Sequence, residues 1–488
     1  MGRFTLLTGA FGVLTATLTV MIAVAGPSAV ADESSSPETH AATVQVQGTL
    51  LVAEPDQPGS RPAYAVALAD GDLVPVSGEL EEARPLSHFT GRLTLPDSVV
   101  SALARRGTSV RPGFTLGATS VPGREALRLV DHRSLTLRVS GTPMLTRAVT
   151  TGTTGTTPTA HRQFVAAIDN KGPLGQDDQA LLAHVRKVGS YWKGEANGAI
   201  GRIDVPGRVT RYRSRVSTKD CGLGDDFFDV LQEAAAKFPG IDLSGGSDQL
   251  VLFVPPGCSS GGMVGEGTIG SSFASGGALI VKAGTTINGT YAHETGHNYG
   301  FNHADALDSG SSMEYYGAYD VMGFALAGYN QLTALSTPFR VFQGITDPGE
   351  IRDVDLGGRS RAVRATVTIR PRSRDAGLRS IRVVDPDTGK AMYLDYRSGT
   401  GDDAGAYYTA RDRYLRSGHG PIRYAPGVTL NVAHDGSGDD TLVVDASGGT
   451  SLGAGSSWTD ASGRLSIHVG ALTAAGAKVT VRLSRQNR

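Results

Sequence analysis

The pattern of apolar and polar positions divides the chain into unequal stretches. Leu6 to Gly26 is an almost uncharged apolar run behind Arg3, and Ala29-Val30-Ala31 and the polar Asp32-Glu33-Ser34-Ser35-Ser36 follow it. A positive start, an apolar run and a small-residue site predict an export signal over residues 1–31, cleaved near Ala31. An uncleaved anchor is the rival reading, because the run is long enough to span a bilayer. No later stretch reaches 18 uninterrupted apolar residues, so the mature chain is expected outside the cell without stable membrane association.

Residues 32–147 carry short runs that alternate or are β-branched, at Thr43–Leu50, Tyr64–Leu68, Leu127–Val130 and Leu135–Val139. These predict an N-terminal β-rich region. Thr150 to Thr159 is Thr and Gly with one Pro. Such a run buries no core, so residues 148–160 are expected to be an exposed linker, where a proteolytic cut would fall. From 161 to 345 the texture changes. Phe164–Ile168, Leu250–Val254 and Ala278–Val281 read as strands, and Asp177–Glu195 and Phe227–Phe238 as helices, with Leu181, Leu182, Val185, Val188 and Trp192 near helical spacing. Strands alternating with helices imply a layer of each. Residues 346–488 return to strands separated by Gly, Asp and Ser clusters, at Ala365–Ile369, Met392–Tyr396, Val428–Val432, Leu442–Val444, Leu465–Val469 and Val479–Leu483. That spacing predicts a β-sandwich-like C-terminal domain.

Composition adds bounds. The chain has 488 residues, 40 % hydrophobic and 19 % charged, which suits several packed domains. A net charge of -1 gives no reason to expect a nucleic-acid partner. Cys221 and Cys258 are the two cysteines. In an exported chain they are most simply one disulfide, with two free thiols as the alternative.

The chemistry concentrates in Tyr291-Ala292-His293-Glu294-Thr295-Gly296-His297-Asn298-Tyr299-Gly300-Phe301-Asn302-His303. On a helix, His293 and His297 lie on one face, a turn apart, and can bind one ion. Glu294 then sits beside the ion without ligating it, where a carboxylate can take a proton from water polarised by the metal. Gly300 can adopt a left-handed conformation, end the helix and turn the chain back, so that His303 becomes a third ligand. Three His ligands leave a fourth position open, the condition for one catalytic Zn2+. Asp402-Asp403 and Asp435 to Asp440 are weaker candidates for Ca2+, with solvated turns as the alternative. Asn288-Gly289-Thr290 is a formal glycosylation sequon on or next to the zinc helix.

This pattern resembles that of the metzincin metallopeptidases, and Tyr319-Asp320-Val321-Met322-Gly323 resembles their methionine turn. The Asp-Val-Met-Gly wording and the β-rich C-terminal region resemble the gametolysin-like branch most closely. The resemblance implies an α+β fold, with a mixed twisted sheet, long helices, a zinc helix and a Met-turn over 161–345, flanked by the two β-rich regions. It implies Met322 beneath the metal-binding imidazoles and a polypeptide substrate. Ala278–Val281 resembles the family's edge strand, along which a substrate could add; an ordinary sheet strand is the alternative. The sequence also departs from the family. Phe324 stands where some members have a zinc-reaching tyrosine. A cysteine switch is excluded, because the first cysteine, Cys221, lies beyond the linker, so latency of a zymogen through 32–147 would need steric cover or another ligand. The expected activity is that of a secreted zinc endopeptidase with Glu294 as base. The alternatives are a silent binding or adhesion protein of the same fold and a zinc hydrolase of a non-peptide substrate. Oligomeric state has no signature in the sequence.

Overall fold

A computed structural model describes residues 41–488 except 56–60, 79, 81–83, 132–134, 147–157, 217–219, 259–260, 309, 358–360, 386–388, 419, 434–439, 446–447 and 486–488. The expected export signal and most of the Thr/Gly linker lie outside the described residues.

The N-terminal region contributes strands β1 (Thr43–Pro55), β2 (Ala63–Ala67), β3 (Leu73–Ser77), β4 (His88–Thr94), β5 (Thr115–Gly117) and β6 (Leu137–Thr146), with helices α1 (Asp97–Arg105) and α2 (Val121–Asp131). Leu127–Val130, expected as a strand, lies inside α2. Four residues are too few to separate a period of 2 from one of 3.6. The longer stripe of buried Gly123, Ala126, Leu127 and Val130, with Arg124 and Arg128 exposed, is helical.

The middle of the chain gives β7 (Thr159–Ile168), α3 (Asp178–Glu195), β8 (Ile200–Asp204), β9 (Thr210–Tyr212), α4 (Phe227–Ala235), β10 (Asp248–Val254), β11 (Gly265–Thr268), β12 (Gly277–Lys282) and α5 (Ile287–Asn298). Asp177 caps α3, its side chain accepting from the Ala180 N–H at 2.8 Å. Every residue of β10 is buried, the signature of a strand covered on both faces. Leu181, Val185 and Trp192 of α3 pack on one side of the sheet with residues of α5, and Phe227, Val230 and Leu231 of α4 pack on the other. The Cys221–Cys258 disulfide, with Cα atoms 5.8 Å apart, ties the segment before α4 to the turn after β10.

Among the described residues these strands form one 12-stranded sheet in the order β2-β3-β6-β4-β1-β11-β12-β10-β7-β8, with β5 on β1 and β9 on β7. β8, β7, β10 and β12 run parallel to one another, and β11 is antiparallel to β12. The strand over 278–281 is interior, between β10 and β11, which is the ordinary-strand alternative and not the edge. The N-terminal strands are continuous with this sheet, because β1 pairs antiparallel with β11 through Ala53↔Thr268, Glu54↔Gly267 and Pro55↔Glu266.

The rest of the chain forms β13 (Ala304–Asp308), β14 (Ser311–Met313), α6 (Thr337–Phe342), β15 (Ile351–Val354), β16 (Ala362–Ile369), β17 (Ser380–Val384), β18 (Ala391–Arg397), β19 (Arg413–Ser417), β20 (Gly420–Tyr424), β21 (Gly427–Ala433), β22 (Asp440–Val443), β23 (Ser457–Thr459), β24 (Leu465–Thr473) and β25 (Gly476–Ser484). One sheet has the order β14-β13-β22-β21-β18-β17-β15, a second β16-β25-β24-β23, and β19 and β20 form a hairpin. Ile381, Val383, Leu394 and Val428 of the first share a core with Ile467, Val469, Val479 and Val481 of the second. The first sheet also draws β13 and β14 from before residue 345, by parallel pairing of β13 with β22.

α6 is joined to this region by a buried ionic cluster. Glu350, fully buried, accepts from Arg340 Nε at 3.0 Å, pairs with Arg379 at 2.8 Å and contacts Arg372. Burial pushes the Glu350 carboxyl up, but Arg372, Arg340, the Asp347 N–H and Arg379 outweigh burial and hold it at about 2. Its ordinary value is 4.5, so the ion pairs contribute about 3 kcal/mol that is present above pH ~4.5 and lost as pH falls towards 2. Glu350→Gln is therefore expected to lose at least that much stability at pH 7, because it also leaves buried guanidiniums unneutralised. In urea unfolding across pH, the gap to wild type should narrow below pH ~4.5.

Candidate metal centre

Helix α5 is buried on nearly all sides, so it shows no apolar stripe. It lies against β11, β12 and α3. Trp192 of α3 donates from Nε1 to the Ala292 carbonyl at 3.1 Å, and Asn298 donates from Nδ2 to the Thr268 carbonyl at 2.7 Å. These bonds fix the helix along its length.

His293 and His297 project from one face, their ring centroids 4.8 Å apart. The helix then ends in a Schellman turn. The Gly300 N–H bonds to the His297 carbonyl at 2.8 Å and the Phe301 N–H to the Gly296 carbonyl at 3.1 Å. Gly300 has φ +86°, and a Cβ there would lie 2.9 Å from the Ser271 backbone, so glycine is required twice over. The reversal carries His303 back, its ring centroid 5.5 Å from that of His293 and 5.0 Å from that of His297.

All three imidazoles are buried, and one nitrogen from each lies within 4.8 Å of the others. Among the described residues they are the one group of His, Cys, Asp or Glu able to hold a metal ion. The other ring nitrogens explain the orientation. His293 Nδ1 is 3.1 Å from the Val321 carbonyl, His297 Nδ1 2.8 Å from the Phe301 carbonyl, and His303 Nδ1 2.8 Å from Glu314 Oε1. A carbonyl only accepts, so Nδ1 of His293 and of His297 carries the proton and Nε2 the lone pair. An outward Nδ1–H bond with an inward Nε2 is the usual arrangement of metal-binding histidines. Three imidazole donors fit zinc with a coordination position left over.

Glu294 is fully buried. Its carboxylate lies along β11, where glycine makes the space. A Cβ on Gly265 would stand 2.3 Å from Glu294 Oε1, and one on Gly267 3.1 Å from Oε2. Met322 is also fully buried and packs on Gly296, where an added Cβ would come 2.3 Å from its Sδ. Asp320 holds the turn around Met322, accepting from the Met322 N–H at 3.2 Å and the Ser336 N–H at 2.7 Å, and burial raises its carboxyl to about 6.

The other candidates fall elsewhere. Phe324 is partly exposed, but its neighbour Tyr315 is buried with its ring 4.1 Å from that of His303. Asp403 accepts from the Ala334 N–H at 3.0 Å and faces Arg397 at 3.7 Å, and Asp440 accepts from Asn431 Nδ2 at 2.7 Å. Both carboxylates thus answer to protein groups; Asp435 to Asp439 lie outside the described residues. Asn288 of the sequon lies in α5, its Oδ1 bonded to His184 Nδ1 at 2.7 Å. Among the described residues no helix is long and apolar enough to cross a membrane. Sequence reasoning missed Gly265, Gly267, Gly296 and Glu314, whose roles depend on neighbours brought close by the fold.

No family model and no curated protein matches the chain. Among solved structures it is similar to metalloproteinase-II from Bacteroides fragilis, with 13 % identity over 61 % of this chain and 82 % of that one, at a TM-score of 0.26. A likeness that low carries no argument.

The Gly296–Met322 contact makes a test of the site's packing. Gly296→Ala should cost about 1–3 kcal/mol, the usual penalty of overpacking a core. Met322→Ala should cost about 2–5 kcal/mol by leaving a cavity. Urea unfolding of the double variant should show a smaller loss than the sum, because the new methyl occupies vacated space.

Proposed function

We propose that this chain is a secreted zinc endopeptidase of the metzincin type, closest to the gametolysin-like branch. His293, His297 and His303 are its metal ligands and Glu294 its general base. What supports the reading is the convergence of three buried imidazoles, oriented through their Nδ1 atoms, beside a buried glutamate one residue after the first of them. Zinc held there would supply Lewis acidity, making water more acidic and polarising a scissile carbonyl. Glu294 would receive the proton of the attacking water and hand it to the departing amine. Its place in a buried helix turn lets it do so without reorganising. Met322 and the Asp320 turn would keep the histidine-bearing helix in position from below.

β11 runs past the Glu294 carboxylate. An extended polypeptide would add to that strand through main-chain hydrogen bonds. In this chain the edge is taken by β1. Residues 32–147 then serve as a pro-region that withholds the substrate strand, in keeping with their lack of cysteine.

Two outcomes are expected. Cleavage of the chain within 147–157 and removal of the N-terminal part should yield a zinc-loaded enzyme that digests casein or gelatin. Glu294→Ala should lower its rate by about 10²–10⁴-fold with zinc content unchanged. Equal digestion by the variant would remove Glu294 from its role, and failure of the processed wild type on every polypeptide would favour a binding protein. The second outcome concerns the uncut chain. Val52 accepts from the Ile269 N–H at 2.8 Å, so by the alternation of antiparallel ladders the Glu54 N–H also faces β11. Glu54→Pro removes that donor and should raise the uncut chain's hydrolysis of a quenched fluorescent peptide several-fold.

A further inference from the structure

The three histidines are not held alike. His293 and His297 ride on a fixed helix, and their Nδ1 atoms meet backbone carbonyls. His303 lies past the helix end, on irregular chain leading into β13, and needs its own support.

We infer that Glu314 and Tyr315 form a clamp that positions His303 for the metal. Glu314 Oε1 lies 2.8 Å from His303 Nδ1, and the Tyr315 ring covers the imidazole at 4.1 Å between centroids and 42° between planes. The β13–β14 hairpin brings both residues back to His303, with Ala306 opposite Met313. The arrangement is held against strain. Tyr315 has φ +68°, a conformation that costs a residue with a side chain roughly 1–2 kcal/mol. Its N–H donates to Asp305 Oδ1 at 3.1 Å, and its carbonyl accepts from the Phe324 N–H at 3.0 Å. The Gly317 N–H bonds to the Ala304 carbonyl at 2.8 Å and the Ala304 N–H to the Met322 carbonyl at 2.9 Å. These bonds stitch the loop to both neighbours of its turn, and strain maintained in this way is characteristic of functional sites.

The clamp has two effects. The carboxylate fixes the tautomer with the proton on Nδ1 and the lone pair on Nε2, and its charge strengthens the imidazole as a ligand more than a carbonyl would. The phenol face stops the ring from rotating away while the site is empty. Glu314 and Tyr315 are thus positioning residues. Their role rests on the reading that the triad holds zinc, and it is independent of whether the protein cuts peptides.

The test is zinc affinity of the full chain, measured by competition with a chromophoric chelator and without substrate. Glu314→Ala is expected to weaken zinc binding 10- to 100-fold and Glu314→Gln several-fold, since Gln keeps an acceptor oxygen but not the charge. Tyr315→Phe should bind as wild type does, and Tyr315→Ala more weakly. Near-UV circular dichroism checks that each variant is folded. Wild-type affinity in folded Glu314→Ala overturns the inference; if that variant does not fold, wild-type affinity in Glu314→Gln does. A wild-type chain that binds no zinc overturns the metal reading beneath it, whereas a chain that binds zinc through the clamp but digests nothing sinks only the peptidase reading.

Discussion

Two imidazoles on successive turns of a helix can share an ion, but His303, six residues beyond His297, can join them only if the chain reverses. Gly300 makes that reversal, at a φ open to glycine and at a distance from Ser271 that leaves no room for a side chain. The reversal also sets the course of the chain beyond it. His303 leads directly into β13, which pairs in parallel with β22 through Ala304↔Asp440, and the Asp440 N–H donates to the His303 carbonyl at 3.3 Å. The backbone of the third histidine is therefore anchored to a strand of the C-terminal sheet.

The C-terminal region is joined to the centre a second time, beneath it. Arg397 of β18 is almost fully buried. It donates to the Ala334 carbonyl at 2.5 Å and faces Asp403 at 3.7 Å and Asp320 at 3.8 Å. Burial works against its charge, but Asp403, Tyr408 and Asp320 outweigh burial and keep it protonated. Tyr319, beside Asp320, donates to the Ala425 carbonyl at 2.8 Å. Such buried charges are a weak source of net stability, because their desolvation offsets most of the attraction. What they provide is geometry: a displaced Arg397 or Asp320 would leave an unneutralised charge in the interior, so the turn that carries Met322 has one low-energy position.

How much of this was legible in the sequence depended on range. The spacing from His293 to His303 and the turn at Gly300 are local, and the structure brings those side chains together. Helix α3 was legible because it lies on a surface with one buried stripe; α5, buried all round, had no stripe and was visible only through its motif. Leu127–Val130 was misread because four residues do not define a period. The strand at 278–281 shows no mark of being interior or edge, since that depends on what pairs with β11. The pairings β1–β11 and β13–β22 join residues more than a hundred apart, and Glu314 reaches His303 only through a hairpin. Gly265, Gly267 and Gly296 look like ordinary turn residues until Glu294 and Met322 are placed against them.

The position of β1 connects function to solubility. A peptidase that binds its substrate as an added strand needs an open sheet edge, and an open edge invites pairing with other chains. β11 is only four residues long and has two glycines, which limits that hazard and makes room for Glu294. The same glycines leave it few side chains with which to hold a partner, so affinity must come from main-chain hydrogen bonds and from groups beyond the strand. β1 supplies both in this chain: it continues β11's ladder and is itself embedded between β11 and the strands β2 and β4. A substrate lacks that second set of bonds. Occupation of the edge by a strand built into its own sheet is thus favoured over a free peptide by mass action and by preorganisation. On this reading a nick alone leaves β11 covered, and the N-terminal region must leave, or its pairing with β11 be weakened, before β11 can accept a substrate.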